Sequence, residues 1–440
     1  MRLCRAIGRE VLVILYVFIF LVNDPQIIRA CGMGAQSASG AQLSATGSSL
    51  DIFMGLDTSE YHLIYELNGG INNNANPASL SPEELPVTLE VPVREGYNFA
   101  GWYTDCAYRN KITEINADNA ANMVLFAKWT RAIDNHYNVE MYSYQAGKAG
   151  GNAQKELKEC SYSFLDELEI PGMPSTREAD YMDNVITSSG QCYQGLCFTP
   201  ELVLISAYSD DRSAYGSLML FDRTDGSYIV TLEMKKESHL GGIAFDGENI
   251  WVCHSNSKTL ERIPYEYLLK IASDSPGGCV DASALSDEYH LKNIPSCLTC
   301  YGGRIWVATH TKLFDSEMYS YSYDKEEDKL TAVSSCRIPS KVQGIAFDGD
   351  GSVYLSTSYG RSNSSYLKVY DSLLALDKKP NEPARKVEMP PCSEEVDVVG
   401  DTVYVLFESA SLKYFEGTDG NGKSIAPIDK VLKVTVASIW

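Results

Sequence analysis

Apolar and polar positions fall into one recurring arrangement after about residue 160. A short apolar strand is followed by a tight turn and a second, richer apolar strand, and this pair recurs five times. The copies open at Gln194-Gly195-Leu196-Cys197-Phe198, Gly241-Gly242-Ile243-Ala244-Phe245, Ser296-Cys297-Leu298-Thr299-Cys300, Gln343-Gly344-Ile345-Ala346-Phe347 and Glu394-Glu395-Val396-Asp397-Val398. Each is answered by a second run: Leu202 to Ile205, Ile250 to Val252, Ile305 to Val307, Val353 to Leu355 and Val403 to Val405. The segments between them, such as Asp246-Gly247-Glu248-Asn249 and Tyr301-Gly302-Gly303-Arg304, carry hairpin-turn residues in four copies of the five.

The copies restart at residues 195, 242, 297, 344 and 395, at intervals of 47, 55, 47 and 51 residues. Two further strands fit each interval, as Ser217 to Asp222 and Ser227 to Glu233 illustrate. Four strands in about 50 residues is the repeat of a β-propeller blade. Ile170-Pro171, Ile294-Pro295, Ile338-Pro339 and Met389-Pro390 mark where outermost strands would end. The first of these precedes the first copy, and another strand is expected at Lys430 to Ala437. The chain is therefore expected to be mainly β, with a five-bladed propeller over residues 160–440. An upstream strand, Tyr162 to Ile170, would close its last blade and remove the free sheet edges. A six-bladed count, drawing partly on residues 135–190, is the alternative.

A different pattern occupies residues 60–130. Tyr61 to Leu67 alternates like a strand and ends in Asn68-Gly69-Gly70. Pro92, Arg94-Glu95-Gly96-Tyr97, Phe99, Gly101-Trp102-Tyr103-Thr104-Asp105 and Ala127-Lys128-Trp129 follow in order. This segment resembles the Listeria–Bacteroides repeat, also called the internalin B-type repeat. The resemblance implies a small β-grasp-like module of envelope-associated bacterial proteins that serves as a stalk, spacer or adhesive unit. One copy is found. Trp102, Tyr103 and Trp129 are read as packing residues. Residues 131–159 read as a polar linker, with one strand at Val139 to Tyr144. The region after it resembles secreted bacterial β-propeller domains of unassigned function.

The N-terminus changes the compartment. Arg2, Arg5 and Arg9 lead into an unbroken apolar run of 12 residues, Val11 to Val22. That is short for a bilayer span and suits a signal peptide over residues 1–30. Residues 31–59, rich in Gly, Ala and Ser, read as a flexible tether. Cys31 directly after Ala30 resembles a lipoprotein box, so lipidation of Cys31 stands beside free secretion and a retained anchor. The expected location is the cell envelope or the extracellular space. A net charge of -21 repels phosphate backbones and anionic lipid. No nucleic-acid partner is expected, and membrane contact only through the N-terminus, if lipidated or uncleaved. The 12 cysteines are scattered. Cys297-Leu298-Thr299-Cys300 has the spacing of a redox or zinc pair but falls in an apolar strand, where thiols act as small hydrophobes.

Candidate chemistry follows from the repeat. In a propeller, the start of each first strand and the end of each second strand surround one mouth. The strand cores look alike from copy to copy, while these positions differ and are mostly polar, as an asymmetric ligand site requires. The candidate ligand-binding residues are Gln194, Tyr208, His239, Ser255, His310, Gln343, Ser358, Tyr359, Glu394 and Glu408. They favour a binding or adhesion-type protein whose partner is a cell-surface glycan or protein, acting as a monomer. The alternative is a propeller hydrolase, a glycosidase or metal-dependent lactonase, using Glu394, Glu395 and Glu408, with His239 and His310 as possible metal ligands beside Glu394. No cofactor is expected: the chain has no P-loop, dinucleotide fingerprint, Gly-x-Ser-x-Gly or His-Glu-x-x-His. If Cys31 is the lipidated residue, metabolic labelling with a fatty-acid analogue disappears in Cys31→Ala. Labelling that survives rules it out.

Overall fold

A computed structural model describes residues 59–133, 138–145, 154–177, 185–211, 213–283 and 287–440. The signal peptide, all but the end of the tether, and Cys31 lie outside these residues. Two compact units emerge, one ending at Ala132 and one built from Ile133 onward apart from residues 178–181.

In the first unit, one sheet runs in the order Ser79–Leu80, Tyr61–Glu66, Met123–Arg131, Tyr97–Tyr103 and Lys111–Ile112. Its first and last long strands, Tyr61–Glu66 and Met123–Arg131, pair in parallel. The recurring residues of the segment have structural causes. Asn68 and Gly69 both take positive φ, 47° and 84°, and turn the chain beneath an indole. Trp129 Nε1 donates to Leu67 O at 2.9 Å, and a Cβ at Gly70 would lie 2.5 Å from the same ring. Trp102 Nε1 donates to Glu90 O at 3.1 Å, and its ring meets Tyr65 and Phe99 edge to face. Trp102, Tyr103 and Trp129 are buried, as expected of packing residues. Asp105 accepts backbone N–H bonds from Ala107, Arg109 and Asn110 and so closes the loop that follows its strand.

Among the described residues, the second unit carries five sheets of consecutive antiparallel strands. The first holds Gln191–Phe198, Leu202–Ser209, Tyr215–Asp222 and Tyr228–Lys236. The second holds Ile243–Phe245, Asn249–His254, Thr259–Pro264 and Asp287–His290, and the third Cys297–Tyr301, Arg304–Ala308, Ser316–Asp324 and Lys329–Ile338. The fourth holds Val342–Phe347, Val353–Thr357, Ser365–Tyr370 and Arg385–Met389. The fifth takes Ser393–Val399, Thr402–Phe407 and Leu432–Thr435 and is completed by Tyr162–Phe164, antiparallel to Leu432–Thr435. The first strand of each sheet lies beside that of the next, and the fifth lies beside the first.

This circuit is tight because three first strands carry glycine at the same register. A Cβ on Gly195 would lie 2.5 Å from Ile243, one on Gly242 2.9 Å from the Cys297 Cα, and one on Gly344 2.6 Å from the Val396 N. Neighbouring backbones therefore approach as closely as missing side chains allow. At the fifth matched position stands Glu395, whose carboxylate reaches across to where a Cβ on Gly242 would fall, 2.8 Å away.

Outer edges are managed locally. Cys279–Asp281 adds in parallel to the first sheet at Thr231–Glu233, and Gln154–Glu156 to the fourth at Lys386–Glu388. On the third, Asp377 Oδ1 accepts from Arg337 N at 2.9 Å. Three expectations change here. The linker 131–159 is partly structural, since Gln154–Glu156 is an edge strand and Val139 and Leu157 are core residues. Asn138–Met141 is a helical turn rather than a strand at Val139 to Tyr144, and it buries Val139 and, just past its end, Tyr142 at helical spacing. The strand expected at Lys430 to Ala437 spans only Leu432–Thr435, and Val436–Ile439 turns helical to bury Ile439. Alanine at Gly344 presses on backbone atoms that no rotamer change can clear. Gly344→Ala is expected to lose about 1–3 kcal/mol in chemical denaturation, and an unchanged midpoint would contradict the close approach.

Candidate functional site

First strands begin, and second strands end, on the same side of the second unit, because each pair is antiparallel. Most of the side chains there do not stand open to solvent. Gln194, Ser358, Glu394 and Glu408 are buried; Tyr208, His239, Ser255, His310 and Gln343 are half-buried; Tyr359 is exposed.

One hydrogen-bonded chain runs through the buried members. Gln194 Nε2, from the first sheet, donates to Glu408 Oε2 at 2.9 Å. Gln343 Nε2, from the fourth, donates to Glu394 Oε1 at 2.9 Å. Glu394 and Glu408, both from the fifth sheet, are hydrogen-bonded to each other. Burial pushes the Glu394 carboxyl well above the usual carboxylate range, and the neighbouring Glu408 charge adds to that. Two carboxylates in contact resist double ionisation, so the pair holds a proton between them.

The short helix Leu412–Phe415, inserted between the second and third strands of the fifth sheet, brings further groups that the repeat did not reveal. The Tyr414 hydroxyl bonds both Glu408 and Tyr208, and Lys413 Nζ donates to the Tyr208 hydroxyl at 3.0 Å. Tyr208 stacks on His239, with ring centroids 4.7 Å apart. Burial lowers the His239 pKa to about 4, which keeps the ring neutral, and His239 Nδ1 meets no partner among the described residues. His310 Nδ1 donates to Val342 O at 3.2 Å, and the ring also bonds Gln343.

Other candidates lie apart from this chain. Ser255 Oγ donates to Pro295 O at 2.5 Å, Ser358 accepts from Ser365 Oγ at 3.0 Å, and the Tyr359 ring lies beneath Lys341. Glu395 faces the middle of the unit rather than the mouth. Its Oε1 accepts from Ile345 N and Val396 N at 3.1 and 3.2 Å, while Oε2 is buried without a partner among the described residues. Asp397, two residues on, accepts from Phe198 N at 3.0 Å and ties the fifth sheet to the first. Cys297 and Cys300 are free thiols, raised by burial and held protonated. Cys106, in the first unit, is disulfide-bonded.

The carboxylate geometry does not fit the glycosidase alternative. Such pairs stand about 5 Å or more apart, with the sugar or a water between them. Glu394 and Glu408 touch, and Glu395 points away. No three His, Cys, Asp or Glu side chains come together as a metal-binding group among the described residues, so His239, His310 and Glu394 do not form one.

Glu394, Glu395 and Asp397 should make stability depend on pH. Folded, they hold protons that the unfolded chain releases above the ordinary values of 4.5 and 3.8. Their contribution is complete below those values and is lost as pH rises, through about 6 for Asp397 and through the raised range of the two glutamates. His239, held at about 4 by burial, adds stability over part of the same range, so the carboxyl share is read from a variant: Glu395→Gln should gain melting temperature relative to wild type as pH rises from about 4. A difference between variant and wild type that does not change with pH would contradict the buried protons.

Residues 61–128 match the model of the Listeria-Bacteroides repeat domain. Modules of this family are typical of extracellular or surface proteins. Among the described residues, no helix is long and apolar enough to cross a membrane. A comparison with curated proteins finds no match. Among solved structures, a glutaminyl cyclase from Myxococcus xanthus aligns at 9% identity and a TM-score of 0.38, over 65% of this chain and 100% of its own. A hydrazine synthase from Kuenenia stuttgartiensis aligns at 13% identity and 0.31, over 50% of this chain and 56% of its own. A nidogen/laminin complex aligns at 12% and 0.31, over 50% of this chain and 73% of its own. Likenesses of this size carry no argument about fold or activity. What stands is a chain that is mainly β and carries one Listeria-Bacteroides repeat segment.

Proposed function

We propose that this is an exported, surface-associated binding protein in which a β-grasp-like repeat module precedes a five-bladed propeller with a glycan-binding mouth. The parallel pairing of Tyr61–Glu66 with Met123–Arg131 supports the first module. The order of the five sheets, with first strands adjacent in sequence order and the fifth returning to the first, supports the propeller. The family match at residues 61–128 supports a surface location.

One observation carries the binding reading: a polar chain drawn from three sheets converges at one end of the unit. Gln194, Glu408, Glu394 and Gln343 form a hydrogen-bonded floor. Half-buried Tyr208, His239 and His310 stand around it. Amide, hydroxyl and proton-sharing carboxyl groups suit sugar hydroxyls, which both donate and accept.

Glycan-array screening of the full chain tests the reading. Gln343→Ala removes a half-buried amide of the floor and should weaken binding about tenfold, the equivalent of one hydrogen bond. Glu326→Ala, in the turn at the opposite end of the third sheet, should leave binding intact. Equal binding by Gln343→Ala and wild type, or capture of protein but no glycan, would count against the mouth as a glycan site.

A further inference from the structure

The second sheet contains a constellation that the mouth does not use. Ser238 lies in the connection between Tyr228–Lys236 and Ile243–Phe245. His254 ends the second strand, and Glu261 stands on the third, diagonally opposite on the same face of the hairpin. Ser238 Oγ is hydrogen-bonded to His254 Nδ1, and His254 Nε2 to Glu261 Oε2. Serine, imidazole and carboxylate thus form one continuous line.

Accessibility is graded along it. Ser238 is 8% exposed, His254 2% and Glu261 1%. Ser238 is therefore the residue nearest solvent, and Glu261 the most enclosed. That order is what a nucleophile, a base and an orienting acid require. Glu261 selects the tautomer: with Nε2–H donated to its carboxylate, Nδ1 is left to accept the serine proton. The backbone N–H groups of His239 and Leu240, which follow Ser238, meet no acceptor among the described residues. An N–H directly after a nucleophile is a common donor to a developing oxyanion.

We propose that Ser238, His254 and Glu261 form a serine-hydrolase relay acting on a carboxylic ester. Ser238 Oγ attacks the ester carbonyl carbon, and its proton passes to His254 Nδ1. The C–O bond to the leaving alcohol breaks, and the alcohol takes that proton from His254. Water, activated by the same nitrogen, then releases the carboxylic acid and restores Ser238. Limited access to Ser238 restricts the acyl group to a small one. This relay requires no ligand at the mouth, so it stands or falls apart from the glycan reading.

A fluorophosphonate probe, applied to the folded full chain, reports the relay directly. Attack by Ser238 Oγ forms a P–O bond, expels fluoride and leaves the serine proton on His254. Mass spectrometry of the labelled protein should map the adduct to Ser238. Labelling should vanish in Ser238→Ala, which removes one oxygen atom, and persist in Ser213→Ala, an exposed serine elsewhere in the unit. His254→Gln should slow it about 100-fold, the low end of general-base contributions. A folded wild-type protein that takes no label overturns the proposal without reference to any variant. So does an adduct that maps to another residue or survives Ser238→Ala.

Discussion

The second unit depends on a single carboxyl group at its centre. Glu395 occupies the register at which the adjacent fourth sheet carries Gly344 and the second sheet, across the circuit, carries Gly242, and a Cβ on either would collide with it. Close backbone approach and the buried acid are therefore one constraint. The glycines bring the strands together, and Glu395 fills the space their missing side chains leave. Its Oε1 stitches the fourth sheet to the fifth through Ile345 N and Val396 N. A buried acid is tolerable there because it is neutral. Desolvation raises its pKa, and holding a proton costs far less than burying a charge.

The same logic spreads outward to the mouth. Glu394 shares its proton with Glu408, and His239 is kept uncharged by burial. A chain with a net charge of -21 thus presents at this end mainly neutral or proton-sharing hydrogen-bonding groups. Recognition there would rest on direction and shape more than on long-range attraction, and salt should matter little.

Much of this architecture was legible in the residues, because period and turn chemistry are local. Gly242 to Phe245 and Gly344 to Phe347 announce the same strand twice, and Asp246-Gly247 and Asp348-Gly349 announce the turns. The Trp102 and Trp129 packing was equally visible, since each indole sits beside the glycines and turns that accommodate it. Burial at the mouth was not. Nothing in the sequence separates Glu394, which faces Glu408, from Glu395, which faces the centre, except the alternation of one strand. Gln154–Glu156 was hidden for another reason: a three-residue polar strand has no periodicity, and only its partner Lys386–Glu388 defines it. Lys413 and Tyr414 arrive on an insertion, and Ser238, His254 and Glu261 meet through a hairpin register that no spacing rule encodes.

The pairing of Tyr162–Phe164 with Leu432–Thr435 has a consequence for the order of events in the cell. An early stretch of chain must wait, unpartnered, while four complete sheets and most of a fifth are synthesised. Until residue 435 is available, the fifth sheet lacks its two outer strands and its flank remains exposed. Assembly should therefore be all or nothing and late, driven by its longest-range contact. A nick in the chain between the two strands would leave them held by their own ladder and by packing, whereas loss of either would strip the outer edge from the fifth sheet.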